Sequence, residues 1–499
     1  MLGSCKEVVT LYAVVALLLR WGVSLHSYSG QNTPPMFGDY EAQRHWMEIT
    51  HKLRVEEWYQ NSTNNDLLYW GLDYPPLSAY HSLICGIVAH RINPDFVSLH
   101  SSRGHESYYH KLFMRSSVIV ADILIFIPAI LWWCLEIRRY GARWSKLNIG
   151  FPQAAFILTY PGLILIDHGH FQYNSISIGL MVAALAAFLR KSNVIGSVLF
   201  TMAVNYKQME LYHALPFFFY LLGICLKEER VMDKLKTLIK IGFSVLLTFF
   251  FIWLPLFNAD SVIPAITRLF PLNRGPYEDK VANFWCSASV IYKFHRAWGN
   301  VGMARACLAV TAIMVLPSCL NLFKYPSMKR LHLALVNSSL AFFLFSYHVH
   351  EKSILLVAIP VALIASEGWG SNSARFLLCL WFLSVSTFSM VPLLARDGLT
   401  VPTIALSILH PLLSTLIISG FQSTQKYSSL WMSMHSSRKF QGAVILSFIG
   451  CTVLTLAYLT LPPPPRYPDL FPLLISMFSC AHFLPFFVYF NYLQLTLPK

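Results

Sequence analysis

The sequence predicts an all-α polytopic membrane protein, and three of its properties lead to that class. Of the 499 residues, 55% are hydrophobic and only 12% are charged, whereas soluble domains carry about 25% charged residues. The apolar residues lie in long runs that are separated by short polar breaks. The basic residues are concentrated in every second break. We therefore expect the whole chain, residues 1–499, to be a single integral membrane domain.

About fourteen apolar runs are candidate transmembrane helices, each judged against the ~20 residues needed to cross a bilayer. The first covers Val8–Trp21 and extends to about Leu25; no A-x-A-like cleavage site follows it, so we expect it to be retained with the N-terminus in the cytoplasm. The other runs are, in chain order, about 113–135, 151–166, 175–189, 194–206, 211–226, 238–257, 303–323, 331–347, 353–367, 374–392, 400–420, 441–461 and 469–491.

The basic residues predict which side of the membrane each loop faces. In this arrangement the short cytoplasmic loops carry eighteen Lys and Arg residues, and the short loops on the other side carry four. Cytoplasmic loops retain positive charge, so the bias supports the orientation. The net charge of +14 then follows from topology. A nucleic-acid surface would gather the charge on one soluble face, so we predict no nucleic-acid partner.

Two long loops, residues 27–112 and 258–302, are predicted to lie on the non-cytoplasmic side. The first contains the sequon Asn61-Ser62-Thr63, which needs such a location in order to be used. It also contains the stretch Trp46–Trp58, which we expect to form a short amphipathic helix on the membrane surface. Several polar clusters face the same side. Polar groups at membrane depth are costly and tend to line a cavity, so one site is expected there.

Asp39, in the first long loop, is the candidate catalytic residue. Acidic residues are scarce in this chain, at 24 in total, and Asp39 opens a helix-favouring run after Pro34-Pro35 and Gly38. A carboxylate at a helix N-terminus is kept ionised by the helix dipole. An ionised carboxylate can take a proton from an attacking hydroxyl group, which predicts a general base. The simpler alternative is that Asp39 only caps the helix.

Five further candidates for substrate binding lie in the same loop. Glu41, Arg44 and His45 follow the catalytic candidate, and a local ion pair is the favoured alternative for Glu41 because of its i,i+3 and i,i+4 spacing. Asp73 and Tyr74 belong to a stiff Asp-Tyr-Pro-Pro segment. Capping of the next helix is the alternative for Asp73.

The remaining candidates for substrate binding come from later loops. Cations such as Lys352 and His350 can hold a phosphate leaving group, because they stabilise developing negative charge. A metal site built on His-x-His with a glutamate is the alternative, although we predict no metal ligand. The full set of later candidates is Lys207, Arg274, Lys280, His348, His350, Glu351 and Lys352. Contact with lipid headgroups is an equal alternative for Arg274 and Lys280.

Two charges within the predicted spans also need partners. Asp122 lies seven residues after Arg115, on a similar helical face, so we expect these two side chains to pair. Arg20 lies near the outer end of the first span. It is expected to extend toward the membrane surface or, alternatively, to face a polar cavity.

Seven blocks of the sequence are long and specific: G-D-Y-E-A-Q-R-H-W at 38–46, Y-W-G-L-D-Y-P-P-L-S-A-Y-H-S at 69–82, L-I-D-H-G-H-F-Q-Y-N-S at 165–175, N-Y-K-Q-M-E-L-Y-H-A-L at 205–215, Y-E-D-K-V-A-N at 277–283, H-E-K-S-I-L-L-V at 350–357 and S-T-F-S-M-V-P-L-L at 386–394. These blocks resemble the dolichyl-phosphate-glucose-dependent glucosyltransferases of asparagine-linked glycan assembly, which have the membrane GT-C fold. In the block at 277–283 the family pattern has Phe where this chain has Tyr277, a mild departure. The last hundred residues resemble the family mainly in hydropathy.

The resemblance implies an inverting glycosyltransferase of the endoplasmic reticulum membrane with its active site in the lumen. The implied donor is dolichyl phosphate glucose, and the implied acceptor is a dolichyl-diphosphate-linked oligosaccharide; no cofactor is implied. Asp39 matches the catalytic carboxylate of the family. The blocks favour the branch that adds the first glucose, in α-1,3 linkage, to the nine-mannose oligosaccharide. The alternatives are the branch that adds the second glucose and, from another class, a polytopic lipid or sugar transporter.

Overall fold

The computed structural model describes residues 5–142, 151–258, 261–270, 280–367, 373–423 and 438–498. In these ranges the regular secondary structure is helical and no β-strand occurs, which confirms the all-α prediction. The α-helices are α1 (Cys5–Ser24), α2 (Asp39–Lys52), α3 (Pro76–Ile92), α4 (Tyr108–Ala121), α5 (Ile127–Ala142), α6 (Phe151–Leu158), α7 (Pro161–Ile164), α8 (Asn174–Leu189), α9 (Asn193–Tyr206), α10 (Leu211–Lys227), α11 (Val231–Asn258), α12 (Val262–Leu269), α13 (Phe284–Ala288), α14 (Phe294–Lys324), α15 (Met328–Phe345), α16 (Leu355–Glu367), α17 (Ser373–Phe388), α18 (Val391–Arg396), α19 (Thr400–Ser423), α20 (Arg438–Thr460) and α21 (Leu470–Leu495).

Short segments of other helical types join several of these helices. Two are π-helical, Asp122–Phe126 and Leu165–Phe171. The 3₁₀ turns are Val55–Glu57, Pro94–Val97, Gln208–Glu210 and Glu351–Ile354. The second π-helical segment and the last two 3₁₀ turns border the candidate site described below.

Every predicted transmembrane run overlaps at least one helix. Among the described residues, six helical stretches are long and apolar enough to cross a membrane: Tyr108–Arg139, Gln208–Leu226, Val231–Phe257, Phe294–Lys324, Arg438–Thr460 and Leu470–Leu495. Five shorter apolar helices accompany them: Thr10–Ser24, Asn174–Leu189, Asn193–Tyr206, Arg375–Phe388 and Thr400–Leu416. The protein is thus a multi-pass membrane protein, while the total of about fourteen crossings stays a prediction.

Three helices that are buried on almost every face form the interior of the bundle. They are α8, α15 and α16, and burial all round is expected for helices whose residues are mostly apolar. α8 packs on α5 and α9, and α15 packs on α10, α14, α16 and α21. By contrast, α11 and α20 leave Phe243, Leu246 and Leu446 exposed. Soluble proteins rarely expose such apolar faces, so these helices are suited to contact with lipid.

The loop at 27–112 is packed into the protein. α2 lies against α3 and the turn at Pro94–Val97. Trp46 and Ile49 are buried in a cluster that includes Ala79 of α3 and Leu256 of α11. The prediction that this amphipathic stretch lies on the membrane surface is therefore wrong. Its apolar side chains are covered by α3 and α11 instead of by lipid.

The charges within the predicted spans pair differently from the expectation. Asp122 accepts a hydrogen bond from Arg20 and lies 2.9 Å from His168 Nε2. Arg115 donates to the carbonyl oxygen of Gly169 at 2.8 Å. The predicted pair of Arg115 and Asp122 is wrong because seven residues rise about 10 Å along a helix, so each side chain meets a nearer partner. Arg20 is 1% exposed and does not extend to the membrane surface.

Candidate functional site

A cavity of about 1350 Å³ lies beside the N-terminal end of α2. Pockets for small ligands are usually about 300–1,000 Å³, so this one has room for several ring-sized groups. Segments far apart in the sequence meet here, since the first long loop, the block at 165–175, the residues around Lys207 and the residues at 348–352 all contribute to the lining. The polar lining residues include Asp39, Gln43, Asp73, Tyr74, His170, Gln172, Asn174, Lys207, Arg268, His348, His350, Glu351, Lys352, Arg396 and Asp397.

Asp39 is the first residue of α2, and its position follows from a close approach of two chain segments. Gly38 is the N-cap residue, and a Cβ at this position would come within 2.6 Å of the backbone of Ser29. The amide of Asp39 donates to Ser29 Oγ at 3.3 Å. The alternative in which Asp39 caps the helix is wrong, because no capping hydrogen bond is made by a side chain. The carboxylate points into the cavity instead.

One carboxylate oxygen of Asp39 receives all of its hydrogen bonds. Lys352 Nζ donates to Oδ2 at 2.6 Å, His170 Nε2 lies 3.0 Å from it, and Gln172 Nε2 also donates to it. No side chain or amide in the described ranges donates to Oδ1. The side chain is 24% exposed. Asp39 is therefore fixed through one oxygen and offers the other as a proton acceptor.

The protonation of Asp39 follows from these neighbours. Burial raises the pKa of its carboxyl, but Lys352 and His170 outweigh burial and hold that pKa well below its ordinary value. In return, burial lowers the pKa of the Lys352 amine, while the Asp39 charge raises it above its ordinary value. Asp39 is thus ionised, and Lys352 positively charged, near neutral pH. An ionised carboxylate is what a general base requires.

His170 connects Asp39 to a second carboxylate. Its Nδ1 lies 2.5 Å from Asp397 Oδ2, and its Nε2 faces both Asp39 and Lys352, the latter at 3.1 Å. Burial and Lys352 lower the pKa of His170, but the two carboxylates raise it above its ordinary value. The side chains of His170 and Asp397 are 2% and 5% exposed. The cavity thus holds a buried row of alternating charges.

Lys207 is a second cation at the site. It donates to Gln172 Oε1 at 3.1 Å and to Asn174 Oδ1, and its Nζ lies 5.0 Å from the centre of the Tyr74 ring. Burial, followed by repulsion from Lys352, lowers the pKa of Lys207 to about 8. Gln172 contacts both Lys207 and Asp39, so one amide side chain joins the two charged groups.

Most of the remaining candidates also line the cavity. Asp73, Tyr74, His348, His350 and Glu351 all do so. The alternative in which Asp73 caps α3 is not supported, because the N-cap residue is Pro75 and no side chain makes a capping hydrogen bond there. Among the described residues, no group of three His, Cys, Asp or Glu side chains is placed to hold a metal ion.

Four candidates lie away from the cavity lining, and a fifth cannot be placed. Lys280 does not line the cavity and pairs with Asp469 at 3.0 Å near the start of α21. Arg274 lies outside the described residues. Glu41, Arg44 and His45 are buried behind the cavity wall. The substrate-binding role proposed for each of them stays a prediction.

Glu41, Arg44 and His45 belong to a buried network on the opposite face of α2. Arg44 forms two bonds of 2.7 Å with the Glu41 carboxylate, and its Nη2 lies 2.8 Å from Glu48 Oε2. His45 Nδ1 lies 3.2 Å from Glu48 Oε2, and Tyr69 donates to Glu41 at 2.8 Å. The local ion pair expected as the alternative for Glu41 is present. This network ties α2 to the loop that follows α3.

Four residues at the centre of the site are not among the predicted candidates: His170, Gln172, Asn174 and Asp397. The first three lie in the block 165–175, whose polar character was visible in the sequence, although nothing local distinguishes His170 from His168. Asp397 is a lone acid in a short loop. Its contact with His170, across 227 positions, is tertiary and has no sequence signal.

Comparison with known proteins identifies the family. The profile of the ALG6, ALG8 glycosyltransferase family matches residues 15–489. A chicken (Gallus gallus) protein named dolichyl pyrophosphate Man9GlcNAc2 alpha-1,3-glucosyltransferase is 46% identical over 501 residues, which cover 97% of this chain and 96% of that protein. A fruit fly (Drosophila melanogaster) protein named as a probable enzyme of this kind is 45% identical and covers 97% of each chain. An Arabidopsis thaliana protein with the same name as the fruit fly protein is 44% identical, and the match covers 98% of this chain and 89% of that protein.

The family match spans nearly the whole chain, and the relatives are aligned over nearly their whole length. The family is one of glycosyltransferases, so the transporter alternative is not supported. The helical architecture agrees with the membrane GT-C fold implied by the sequence blocks. The chain belongs to the ALG6, ALG8 glycosyltransferase family of GT-C membrane enzymes.

Proposed function

We propose that this protein transfers glucose from dolichyl phosphate glucose to a terminal mannose of the dolichyl-diphosphate-linked nine-mannose oligosaccharide. The product is the first α-1,3-glucosyl bond of N-glycan precursor assembly. The activity named for the chicken and fruit fly relatives supports this acceptor and this linkage. The observation that carries the proposal is the geometry of Asp39, whose Oδ2 is held by Lys352, Gln172 and His170 while its Oδ1 receives no hydrogen bond from the described residues.

Asp39 acts as the general base in the proposed reaction. The mannose 3-hydroxyl attacks glucose C1, and its proton passes to Asp39 Oδ1 as the new C1–O bond forms. The bond between C1 and the phosphate oxygen breaks on the opposite side, so a β-linked donor gives an α-linked product. Dolichyl phosphate leaves with the bonding electron pair. The low pKa of Asp39 keeps the base ionised before the hydroxyl arrives.

Lys352 and Lys207 stabilise the phosphate as it leaves. Once Asp39 is protonated, Lys352 has lost a charged partner at 2.6 Å, and its own charge becomes available to the phosphate oxygens. Lys207 lies across Gln172 and supplies a second cation. His348, His350 and Glu351 line the same cavity and are proposed contacts of the donor. No nucleotide is needed, because the donor already carries its leaving phosphate.

The active site is proposed to face the lumen of the endoplasmic reticulum. The basic residues of the short loops support this orientation. Leu68 lines the cavity and is 88% exposed, so Leu68→Cys provides a labelling site. A membrane-impermeant maleimide is expected to label it in microsomes only after permeabilisation. Lys236→Cys on α11, at the opposite end by this topology, is expected to react in intact microsomes. The reverse pattern would contradict the proposed topology.

The base assignment is tested with purified Asp39→Asn protein. An amide of the same shape accepts no proton, so transfer from dolichyl phosphate glucose should fall about 10²–10⁴-fold. The thermal unfolding temperature should stay within a few degrees, because Asn can still accept a hydrogen bond from Lys352. Transfer at the wild-type rate would refute the assignment.

The acceptor is tested by comparing oligosaccharides with no glucose and with one glucose. The proposal requires transfer to the unglucosylated nine-mannose acceptor. Transfer only to the acceptor that already carries one glucose would assign the protein to the next step. Consumption of the donor without any glycosylated product would contradict both assignments.

A further inference from the structure

His170 and Asp397 form a buried pair directly behind the proposed base. His170 belongs to the π-helical segment Leu165–Phe171, and Asp397 directly follows α18. The main chain of Asp397 is fixed by a bond from its amide to the Leu393 carbonyl. Its carbonyl oxygen accepts a hydrogen bond from Ser27, near the start of the first long loop. The pair is therefore anchored in two separate parts of the bundle.

The protonation pattern of the imidazole follows from its partners. A carboxylate only accepts hydrogen bonds, so Asp397 requires a proton on His170 Nδ1. Nε2 then faces an acceptor, Asp39 Oδ2, and a donor, Lys352 Nζ. Asp397 thus determines both the orientation of the ring and the nitrogen that is turned toward Asp39. A buried carboxylate such as Asp397 is costly unless it is paired, and His170 is its pairing group.

The effect of the pair on Asp39 is geometric. Lys352, at 2.6 Å, and Gln172 donate to Oδ2, and His170 contacts the same oxygen from the side of its pair with Asp397. Rotation of the carboxylate would break all three contacts. Oδ1 is therefore kept as the oxygen that is open to an incoming hydroxyl.

We propose that His170 and Asp397 are positioning residues for the general base: Asp397 fixes the His170 imidazole, and the imidazole holds Asp39 so that Oδ1 faces the acceptor hydroxyl. This inference rests on the proposed function of Asp39. Both side chains are almost fully buried, at 2% and 5% exposed, and Asp397 reaches Asp39 only through His170. The pair acts through Asp39 alone, as outer partners do when they orient a reacting group.

The test uses purified full-length Asp397→Asn protein, with rates measured at several pH values. Loss of such an outer partner typically costs about 10–100-fold, and kcat should fall by this amount while KM for donor and acceptor changes less than about threefold. The charged groups that face His170 in the described chain are Asp39, Lys352 and Asp397. Without the Asp397 charge His170 is less often protonated, so the pKa of Asp39 rises and the acidic limb of the kcat profile should move to higher pH.

Two further variants separate positioning from simple stability. Asp397→Glu keeps a carboxylate that can reach Nδ1, so it should recover part of the lost kcat. His213→Gln removes a matched buried pair, since His213 Nδ1 lies 2.8 Å from Glu210 Oε2, both side chains are 0% exposed and neither lines the cavity. His213→Gln should lower the unfolding temperature, leave kcat per folded molecule within about threefold and leave the pH profile unchanged.

The proposal is overturned if Asp397→Asn keeps the wild-type kcat and pH profile. It is also overturned if Asp397→Asn loses activity only in step with folded protein, as His213→Gln would. Asp39→Asn, assayed with the same substrates, shows whether the base assignment fails or only the positioning role. If that variant is inactive while Asp397→Asn is normal, the base assignment stands and only the positioning role is refuted.

Discussion

The two faces of α2 carry similar charged groups in opposite circumstances. On one face, Asp39 lines the cavity and keeps one carboxylate oxygen without a donor from the described residues. On the other face, Arg44 is bonded to both Glu41 and Glu48, and all three are at most 2% exposed. A network with its bonds made stabilises a single structure, whereas a charge with an unused acceptor beside a cavity is suited to chemistry. One face of α2 therefore contributes to stability, and the other face presents the carboxylate that is suited to chemistry.

Of the substitutions that test this contrast between the two faces of α2, Lys352→Met is expected to have the largest effect. The variant removes a cation that holds the base and faces the leaving phosphate, so kcat should fall by about 10²–10³-fold. Without the Lys352 charge only His170 still opposes burial, so the pKa of Asp39 should rise. The acidic limb of the rate profile should therefore move to higher pH, which rate measurements between pH 5 and 8 would detect.

The matched control for this variant is Lys236→Met. Lys236 lies on α11, and its side chain is 64% exposed, with Asp233 at 3.9 Å. It should keep the wild-type rate and pH profile. An unchanged acidic limb in Lys352→Met would show that Lys352 does not set the protonation of the base.

On the opposite face, Glu48→Gln should reduce stability while sparing catalysis. Removing one partner of a buried ion pair costs about 3–5 kcal/mol, because the other charge is left without compensation. Glu48 also accepts from Ser102 Oγ at 3.1 Å and from the amide of His100 at 2.8 Å, so the helix loses its attachment to this loop. Thermal unfolding of the purified protein should show the loss, and kcat per folded molecule should stay near the wild-type value.

The pH dependence of stability gives a second readout for this face. Burial raises the pKa of Glu48, but bonds from His45 and Arg44 lower it to about 2, below the unfolded value near 4.3. A depressed folded pKa stabilises the protein above the unfolded pKa, and that contribution is lost as the pH falls from about 5 to about 2. Glu48→Gln should weaken this dependence. A large loss of kcat at unchanged stability would mean that the buried face takes part in catalysis.

The smallest expected effect concerns Lys207→Arg. With a pKa of about 8, Lys207 loses its charge as the pH rises through that value. Each further pH unit lowers the protonated fraction of Lys207 about tenfold. KM for the donor should therefore increase above pH 8 in the wild type. Arginine stays protonated, so the variant should have a flatter alkaline limb. Equal slopes in both proteins, measured from pH 7 to 9.5, would exclude Lys207 as the group responsible.

Much of the fold could be predicted because hydropathy is a local property. Each apolar run overlaps a helix, since a segment in lipid has to satisfy its own backbone hydrogen bonds. The position of α2 could not be predicted in the same way. Trp46 and Ile49 mark an apolar stripe, but whether lipid or protein covers such a stripe depends on distant helices. The same limit explains Arg115 and Asp122, whose actual partners lie in other segments.

Residues of the site could be predicted where they lie in a short polar motif. Asp39 could be identified from its motif and Lys352 from its neighbourhood, and they meet at 2.6 Å. The roles of Glu41 and Arg44 are less accessible, because a motif alone does not tell which side of the helix faces a cavity. Their spacing from Asp39 contains the answer only once one residue on the cavity side is known. Two positions, as for Glu41, rotate a helix by about 200°, and five positions, as for Arg44, give a net rotation of about 140°. Asp397 has no local signal at all.

Gly38 has a genetic consequence. A Cβ there would press against the backbone of Ser29, and every missense change of a single nucleotide in a glycine codon introduces a Cβ. Any such allele would displace the adjacent carboxylate without altering it. We therefore expect codon 38 to tolerate only synonymous changes, although its residue has no side chain that takes part in a reaction.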